Sequence, residues 1–290
     1  MKKPPLKIDQ GKKLPQFDMP VDFLVYDDIT ANILRYYTAF PCKIDACVLC
    51  YVERGSLKAS VNLWDFEVKA HDFAIVLAGS FFQIHEVSDD LKVGFCGFSS
   101  SFLKRINYWK LMSGIIPEVV KKPFFTLPTE MGEIYANMFS MLTSASIMPK
   151  IFMSEGIAKS IMGMIVESLG NALKEGVIAS ERHSSRELQV AGEFMQLAYS
   201  NYREEHKITF YANEANLTLS HFCNVINNAT GMTPQEIIKN LIIMDAKSQL
   251  KGTSDSVAKI AGSLGFGTAT TFNRYLKTYT GMTPLEYRAS

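Results

Sequence analysis

The chain has 290 residues, of which 47% are hydrophobic, so it is long enough for two domains that each bury a core. Its 30 basic and 29 acidic residues nearly balance, which excludes a highly charged nucleic-acid scaffold or an acidic binding protein. Because no run of roughly 18 apolar residues occurs, a membrane-spanning helix is not expected.

The N-terminal part of the chain has the pattern of an extended arm followed by strands. Residues 1–20 contain four prolines and scattered lysines but no apolar segment of the secretory type. Residues 21–100 contain short runs rich in β-branched and aromatic residues, separated by turn-forming sequences. These runs are residues 46–52, 59–63, 66–70, 73–77 and 91–98. This spacing predicts a small antiparallel β-barrel or jelly roll.

The cysteines and histidines of this region do not have the spacing of a metal or redox site. Five cysteines without an export signal indicate a reducing cytoplasm. Cys47 and Cys50 are three residues apart, and on a strand such residues point to opposite faces. His71 and His85 lie far apart in sequence, with no close histidine partner. We therefore expect no metal, no cofactor and no catalytic residue.

Two helices are predicted after the strands, at residues 130–146 and 150–175. The second carries a wide apolar stripe, made of Ile157, Ile161, Met164, Ile165, Leu169, Ala172 and Leu173. Two roles remain open for this stripe, which are packing against the barrel and contact with a second copy of the chain. Residues 174–186, with Gly176 and a pair of serines, are predicted to form a linker.

The sequence Thr-Gly-Met-Thr-Pro occurs twice, at residues 230–234 and 280–284. A phenylalanine precedes each copy, at Phe222 and Phe272, and a glutamate follows each proline. Each glycine has the position of a helix stop, and each Thr-Pro-x-Glu has the pattern of a helix start. One helical unit has therefore been used twice.

Each repeat contains a short amphipathic helix that follows a tight turn. The inward positions are predicted to be Phe222, Val225, Ile226 and Ala229 in the first copy and Phe272, Tyr275, Leu276 and Tyr279 in the second. A leading helix precedes each, at residues 208–215 and around Val257 to Leu264. Thr218 and Thr268 are the predicted N-caps of the trailing helices. A helix over residues 234–250 joins the two helix-turn-helix units.

These residues resemble the tandem helix-turn-helix domain of AraC-type (AraC/XylS) transcription regulators. The resemblance covers residues 186–290 and rests on the sequences at 256–261, 264–266, 272–274 and 280–288. The predicted fold is thus α+β with two domains. Residues 1–173 form a cupin-like β-barrel with following helices, residues 174–186 a linker, and residues 187–290 an all-α DNA-binding domain.

The resemblance implies that each trailing helix enters the major groove of double-stranded DNA. The base-contact candidates are Ser220, Cys223, Asn224, Thr270, Thr271, Asn273 and Arg274. The phosphate-contact candidates are Thr218, Asn227, Thr268 and Lys277. A guanidinium such as that of Arg274 pairs with guanine, and an amide such as that of Asn273 pairs with adenine.

The first copy departs from the family pattern because residues 208–238 contain no lysine or arginine. Its trailing helix is either a weak reader that uses Asn224 and Ser220 or a support for the second helix. In the bridging helix Ile242 stands where the family often has arginine, so it is expected to pack. Residues 206–290 contain eight basic and five acidic residues, a modest excess that favours function as a homodimer.

The N-terminal strands resemble the cupin-like sensing domain that AraC-type regulators often carry. This resemblance implies a small organic effector, with Tyr51, Trp64, Phe66 and Phe82 as pocket candidates or, alternatively, core residues. We expect a cytoplasmic, sequence-specific regulator that is not an enzyme and that contacts RNA polymerase as many family members do. The alternatives are an effector-free DNA-binding adaptor and a cupin-type enzyme fused to a DNA-binding module.

Overall fold

The computed structural model describes residues 16–17, 19, 21–34, 40–62, 64–146, 148, 151, 154–178 and 185–290. Most of the predicted arm at residues 1–20 lies outside the described residues, and so does the centre of the predicted linker, residues 179–184. The side chain of Trp64 is also outside the described part of the structure.

Two five-stranded sheets form the N-terminal half, as the strand-rich sequence predicts. The strands are β1 (Gln16–Phe17), β2 (Phe23–Thr30), β3 (Cys42–Ile44), β4 (Cys47–Arg54), β5 (Ser56–Val61), β6 (Trp64–Lys69), β7 (Asp72–Val76), β8 (Ser80–Val87), β9 (Lys92–Phe98) and β10 (Phe124–Thr126). One sheet has the order β1-β3-β8-β5-β6, and the other has the order β10-β7-β4-β9-β2. Neighbouring strands are antiparallel, apart from β1 and β3, which are parallel.

Strand β4 shows how the alternation of side chains builds two separate cores. Cys47, Leu49 and Tyr51 point to one face and join the hydrophobic cluster that includes the helices. Val48, Cys50 and Val52 point to the other face and line the space between the two sheets. The residues of the Cys47–Cys50 pair therefore lie on opposite faces of β4.

The turn between β4 and β5 packs closely against the backbone of Leu91. Gly55 adopts a φ of +77°, and a Cβ atom built there would lie 2.7 Å from the Cα atom of Leu91. Glycine is therefore needed at this position both for its conformation and for its lack of a side chain. The amide of the next residue, Ser56, donates to the hydroxyl of Ser88 at 2.8 Å, which closes the β4–β5 turn against the β8–β9 turn.

Helices cover one outer face of this sandwich. The short helix α1 (Ala31–Leu34) instead contacts β2 and β8, one strand of each sheet. The covering helices are α2 (Ser100–Arg105), α3 (Tyr108–Met112), α4 (Ile116–Lys121), α5 (Thr129–Ala145) and α6 (Glu155–Lys174). The hydroxyl groups of Tyr135 on α5 and Ser168 on α6 are 2.6 Å apart and place these helices side by side. Most of the predicted α6 stripe is buried in the domain, but Met164 remains 53% exposed.

The C-terminal half is helical. Its helices are α7 (Ser185–Asn201), α8 (Ile208–Glu214), α9 (Leu219–Thr230), α10 (Pro234–Gly252), α11 (Val257–Ser263), α12 (Ala269–Thr280) and α13 (Pro284–Ala289). The pairs α8–α9 and α11–α12 are the two predicted helix-turn-helix units, and α10 is the bridge between them. Ile242 on α10 is buried, as expected.

The two copies of the repeated sequence have the same local structure. Gly231 and Gly281 end α9 and α12 in the left-handed conformation, with φ values of 71° and 77°. Thr233 and Thr283 then form capping boxes at the starts of α10 and α13, with Glu236 and Glu286 as the partners. Their threonine amides donate to the glutamate carboxylates at 2.8 and 2.7 Å.

The two helix-turn-helix units pack differently. The first shares one continuous hydrophobic cluster with the N-terminal helices, because α9 lies against α4 and α7. The second has a cluster of its own, made of Ala246, Leu250, Ile260, Ala261, Leu264, Phe272 and Leu276. The bridge α10 also packs against β3 and β8 of the sandwich. The first unit and the bridge are thus attached to the N-terminal half.

Candidate DNA interface and effector cavity

The N-termini of both trailing helices are exposed and capped as predicted. The hydroxyl of Thr218 accepts the amide of His221 at 3.4 Å, and the hydroxyl of Thr268 accepts the amide of Thr271 at 3.2 Å. Capping satisfies only one of the first amides of each helix, so others still point outward. Such amides favour an anion, which fits the predicted phosphate contacts at these two threonines.

The structure places the predicted base-contact faces at the surface. Ser220, Asn224 and Asn227 on α9 are exposed, and so are Thr270, Thr271, Asn273, Arg274 and Lys277 on α12. Cys223 is the exception, since it is half-buried and packs against the large hydrophobic cluster. The hydroxyl of Thr271 lies 3.0 Å from that of Thr268, which holds it within its own helix start.

Positive charge on the outward face of α12 comes from Arg274 and Lys277. Neither forms a salt bridge with any residue that the structure describes. Other cations of the same domain are engaged internally, and three examples show this. Arg203 donates to Asp245 at 2.6 Å, Lys259 to Asp255 at 2.8 Å, and Arg288 to the backbone carbonyl of Asp255 at 2.6 Å. Arg274 and Lys277 are therefore available for a ligand on that face.

The predicted inward positions of both trailing helices are buried except for Tyr275, which is half-buried, and Tyr279. Phe222, Val225, Ile226 and Ala229 are buried in the first helix, and Phe272 and Leu276 are buried in the second. The prediction for Tyr279 was wrong, because its side chain is 50% exposed. Its ring lies at the end of α12, between the ring of Tyr275 at 4.9 Å and the ammonium of Lys239 at 5.3 Å. The last turn of α12 extends past the core, so the periodicity no longer indicates burial there.

Two further side chains, which were not among the predicted site residues, line a groove at the start of α9. Arg186 at the start of α7 and His221 on the first turn of α9 are both exposed and line one surface groove, together with Glu187. The amide of Asn228 donates to the carboxylate of Glu187 at 3.4 Å. Arg186 falls at the edge of the predicted linker, so only the packing of α7 on α9 brings its charge near the first copy.

A cavity of about 130 Å³ lies between the two sheets. Two of the predicted pocket residues, Phe66 and Phe82, line it. Tyr51 does not, because it lies on the outer face of β4, where its hydroxyl is 3.2 Å from Nδ1 of His71. For Trp64 only the backbone in β6 is described. The cavity is thus lined by the inward positions of both sheets rather than by the four aromatic residues as a set.

The sandwich contains neither reactive thiolates nor a metal-binding cluster among its described residues. Burial raises the pKa of Cys42, Cys47 and Cys50 to about 12, so these thiols are not thiolates near neutral pH. Among the described residues, no three His, Cys, Asp or Glu side chains come together as a metal site. Within the same residues, no helix is both long and apolar enough to cross a bilayer.

The duplicated helices and their exposed polar faces define the class of protein. Residues 211–290 match a family described as a helix-turn-helix domain. The chain is a DNA-binding transcription regulator with a helix-turn-helix domain.

Known proteins are similar over nearly the full chain. The raffinose operon transcriptional regulatory protein RafR of Pediococcus pentosaceus is 24% identical over 249 residues, which cover 85% of this chain and 86% of that protein. The Msm operon regulatory protein of Streptococcus mutans is 22% identical over 257 residues, which cover 88% of each chain. Among solved structures, unsaturated fatty acid-bound ToxT from Vibrio cholerae is 14% identical with a TM-score of 0.43, covering 92% of this chain and 94% of that chain.

Proposed function

We propose that this regulator reads a specific DNA sequence with α12 as the principal reading helix and α9 as a weaker one. The observation that carries the proposal is the pair of 12-residue helices with capped, exposed N-termini, of which only α12 carries lysine or arginine. Arg274 and Asn273 contact base edges, with help from Thr270 and Thr271. Lys277 and the amide groups near Thr268 hold phosphates.

The first trailing helix contributes through its neutral face. Ser220 and Asn224 contact bases, while Thr218 and Asn227 lie near the phosphates. Cys223 is half-buried, so it reaches the groove less than its neighbours do. Arg186 adds positive charge beside this helix that its own sequence lacks, and His221 adds a hydrogen-bonding ring, since a DNA backbone along α9 would pass close to their groove.

The regulator functions as a homodimer in this proposal. The outward-facing positive charge of one DNA-binding domain is small, so two domains are needed for firm binding. Exposed apolar side chains on the adjacent helices α5 and α6 provide a surface for such contact. They are Ile134, Met141 and Met164, which are 66%, 64% and 53% exposed. Contact with RNA polymerase would then follow from the position of the dimer on a promoter.

The sandwich acts as a cupin-like sensing domain. Its cavity supports control by a small molecule, because an adaptor that only dimerises would not need space between its sheets. An occupant would shift an equilibrium between two presentations of the DNA-binding domain. The attachment of α9 to α4 and of α10 to the sandwich supplies the physical link. The curated relatives are regulators, which favours this function over an enzyme of the cupin type.

Selection from random duplex DNA tests the proposal directly. Purified full-length chain should enrich a motif with two related half-sites, because each protomer supplies one pair of reading helices. The double variant Asn273→Ala, Arg274→Ala should enrich a motif that has lost defined positions within each half-site. Recovery of unselected sequence by the parent chain would show that it does not read DNA sequence.

A further inference from the structure

The described lining of the cavity between the two sheets contains no polar side chains. Every described residue that borders it is apolar, and the side-chain sulfur of Cys50 is the one heteroatom among those side chains. Strands from both sheets contribute, Leu57 and Ala59 on β5 from one sheet and Val48, Val76 and Val93 from the other, and Phe124 on β10 also borders the cavity. Burial raises the pKa of Cys50 to about 12, so the sulfur carries no charge.

We propose that this cavity takes a small uncharged hydrocarbon-like molecule, of the size of a substituted benzene, as its ligand. The assignment rests on the proposed function, in which a small molecule in this cavity controls DNA binding. The expected ligand is thus apolar, in contrast to a sugar, which the name of one relative suggests.

A sugar does not fit this lining. A relative is named for the raffinose operon, and a sugar carries many hydroxyl groups. Each hydroxyl that leaves water must find a hydrogen-bond partner, and the described side chains of the cavity offer none apart from a weak thiol. A carboxylate fits less well still, because the described lining residues include no cation to compensate its loss of hydration.

The volume sets the size of the ligand. At about 130 Å³ the cavity is close to that of an engineered apolar protein cavity of about 150 Å³, which stays dry and binds benzene. Transfer of an apolar molecule from water into such a space is favourable without any hydrogen bond. A molecule of one ring with a short substituent is therefore the expected size.

The walls of the cavity lead toward the DNA-binding domain. Val61, Phe66 and Pro123 also border a second, smaller cavity, whose other lining residues include Ser80 and Tyr199. Tyr199 belongs to α7, and its hydroxyl lies 3.1 Å from that of Ser80. A ligand that pushes on Val61 or Phe66 therefore acts on residues that share this small cavity with Tyr199 of α7, the helix that supports α9.

Binding is tested with toluene as the probe and the full-length chain. Methyl resonances of Val48, Val76 and Val93 should shift in a saturable way as toluene is added, whereas raffinose at the same concentrations should leave them unchanged. Ala74→Phe fills the cavity from β7 and should abolish the shifts. Ala289→Leu adds apolar volume at an exposed position and should leave them as in the parent. If Ala74→Phe does not fold, Ala59→Leu fills the same cavity from β5.

The ligand class is overturned if toluene gives no saturable shift, if Ala74→Phe shifts like the parent, or if raffinose shifts the same methyl groups. A second measurement separates this result from the regulatory role. The selected DNA is titrated with protein in the presence and absence of toluene. Toluene that binds and changes DNA affinity supports both proposals, whereas toluene that binds without such a change supports the ligand class and contradicts control of DNA binding from this cavity.

Discussion

Arg274 and Lys277 lie on one exposed face of α12 but are expected to contribute to DNA binding in different ways. A guanidinium forms two parallel hydrogen bonds to a guanine edge, which depends on the base. An ammonium near a phosphate is a point charge, which does not depend on sequence. Substitution of each residue therefore has a distinct expected signature.

Arg274→Ala should weaken binding to the selected DNA and relax the preference at one base pair. The loss of a bidentate contact corresponds to roughly 1–3 kcal/mol, or about 5- to 150-fold in affinity. Fluorescence anisotropy with the selected duplex and its single-base variants measures both effects. Arg54→Ala removes an exposed arginine from the sandwich and serves as the charge-matched control. An unchanged base preference in the Arg274 variant would remove this residue from the reading face.

Lys277→Ala should lower affinity evenly for all duplexes. The log–log dependence of affinity on salt concentration should flatten by about one phosphate contact, a slope change of roughly 0.9. Titrations at several salt concentrations measure this slope. Lys58→Ala, which breaks an exposed pair with Glu86, is the control for the loss of one lysine. A slope equal to that of the parent would place Lys277 away from the DNA backbone.

The two capping boxes make the stability of the folded DNA-binding domain depend on pH. Hydrogen bonds from Thr233 and Thr283 lower the pKa of Glu236 and Glu286 below the ordinary value of 4.5. A carboxyl whose pKa is lower in the folded state stabilises the fold above its unfolded pKa, and this contribution is lost as pH falls through the folded value. The double variant Glu236→Gln, Glu286→Gln should therefore show a smaller decline in Tm below pH 4.5 than the parent.

Circular dichroism melts across that acidic range check this expectation. Glu214→Gln is the matched control, because this glutamate is exposed and forms no capping box. A decline in Tm that is the same in the parent and the capping variant would mean that the two boxes do not stabilise the folded state through their carboxylates.

Helix α9 has two possible roles, which are contact with DNA bases and structural support of α12. Its outward face is neutral, and its inward face belongs to the large cluster that includes α4 and α7. If α9 reads bases, Asn224→Ala should lower affinity for the selected DNA several-fold without changing Tm, since the side chain is exposed. Asn213→Ala removes an exposed amide from α8 and serves as the control.

The competing role gives a different result. If α9 only supports α12, Asn224→Ala binds like the parent at every base pair. In either case Phe222→Ala should destabilise the domain by about 3–5 kcal/mol, because the ring is fully buried and packs on the ring of Phe194 at 5.3 Å. Thermal melts and anisotropy titrations of the three variants distinguish the two roles.

The assembly expected on DNA is a dimer formed through α5 and α6. Ile134→Glu combined with Met141→Glu places two charges in the exposed apolar surface, where a partner would have to bury them. Sedimentation should then show monomers, and affinity for a two-half-site duplex should fall by at least about tenfold because the second module no longer adds to the first. Val177→Glu, at another exposed apolar position, is the control. Variant dimers of parental stability would place the interface elsewhere.

Much of the DNA-binding domain follows from sequence because the interactions that define it are local. Thr218 and Thr268 cap helices whose amides lie three residues on, and the Thr-Pro-x-Glu boxes close over the same short span. Phe222 and Phe272 occupy equivalent positions on α9 and α12 and are buried, while polar residues on the opposite faces of these helices, such as Asn224 and Asn273, are exposed. The same spacing failed at Tyr279, because periodicity carries no information on where the surrounding core ends.

The sandwich was less predictable in its details. Alternation places Tyr51 and Cys50 on opposite faces of β4, but it does not say which face looks between the sheets. Tyr51 was a pocket candidate with a core position as the alternative, and it lies in the core among the helices. The cavity is lined instead by Cys50 and by aliphatic and phenylalanine side chains. Strand β8, which pairs with β3 and β5, was not among the predicted runs, because its outer part carries His85 and Glu86 in place of apolar residues.

The repeat, its caps and the polar faces of α9 and α12 were fixed by neighbours within one or two helical turns, so sequence alone determined them. The engagement of Arg203 and Arg288, the attachment of α9 to α4, and the approach of Arg186 to His221 join residues distant in the chain. Only the tertiary structure decided these, because long-range contacts depend on how whole layers pack. The apolar cavity is of the same kind, since its chemistry is the sum of inward faces from two sheets.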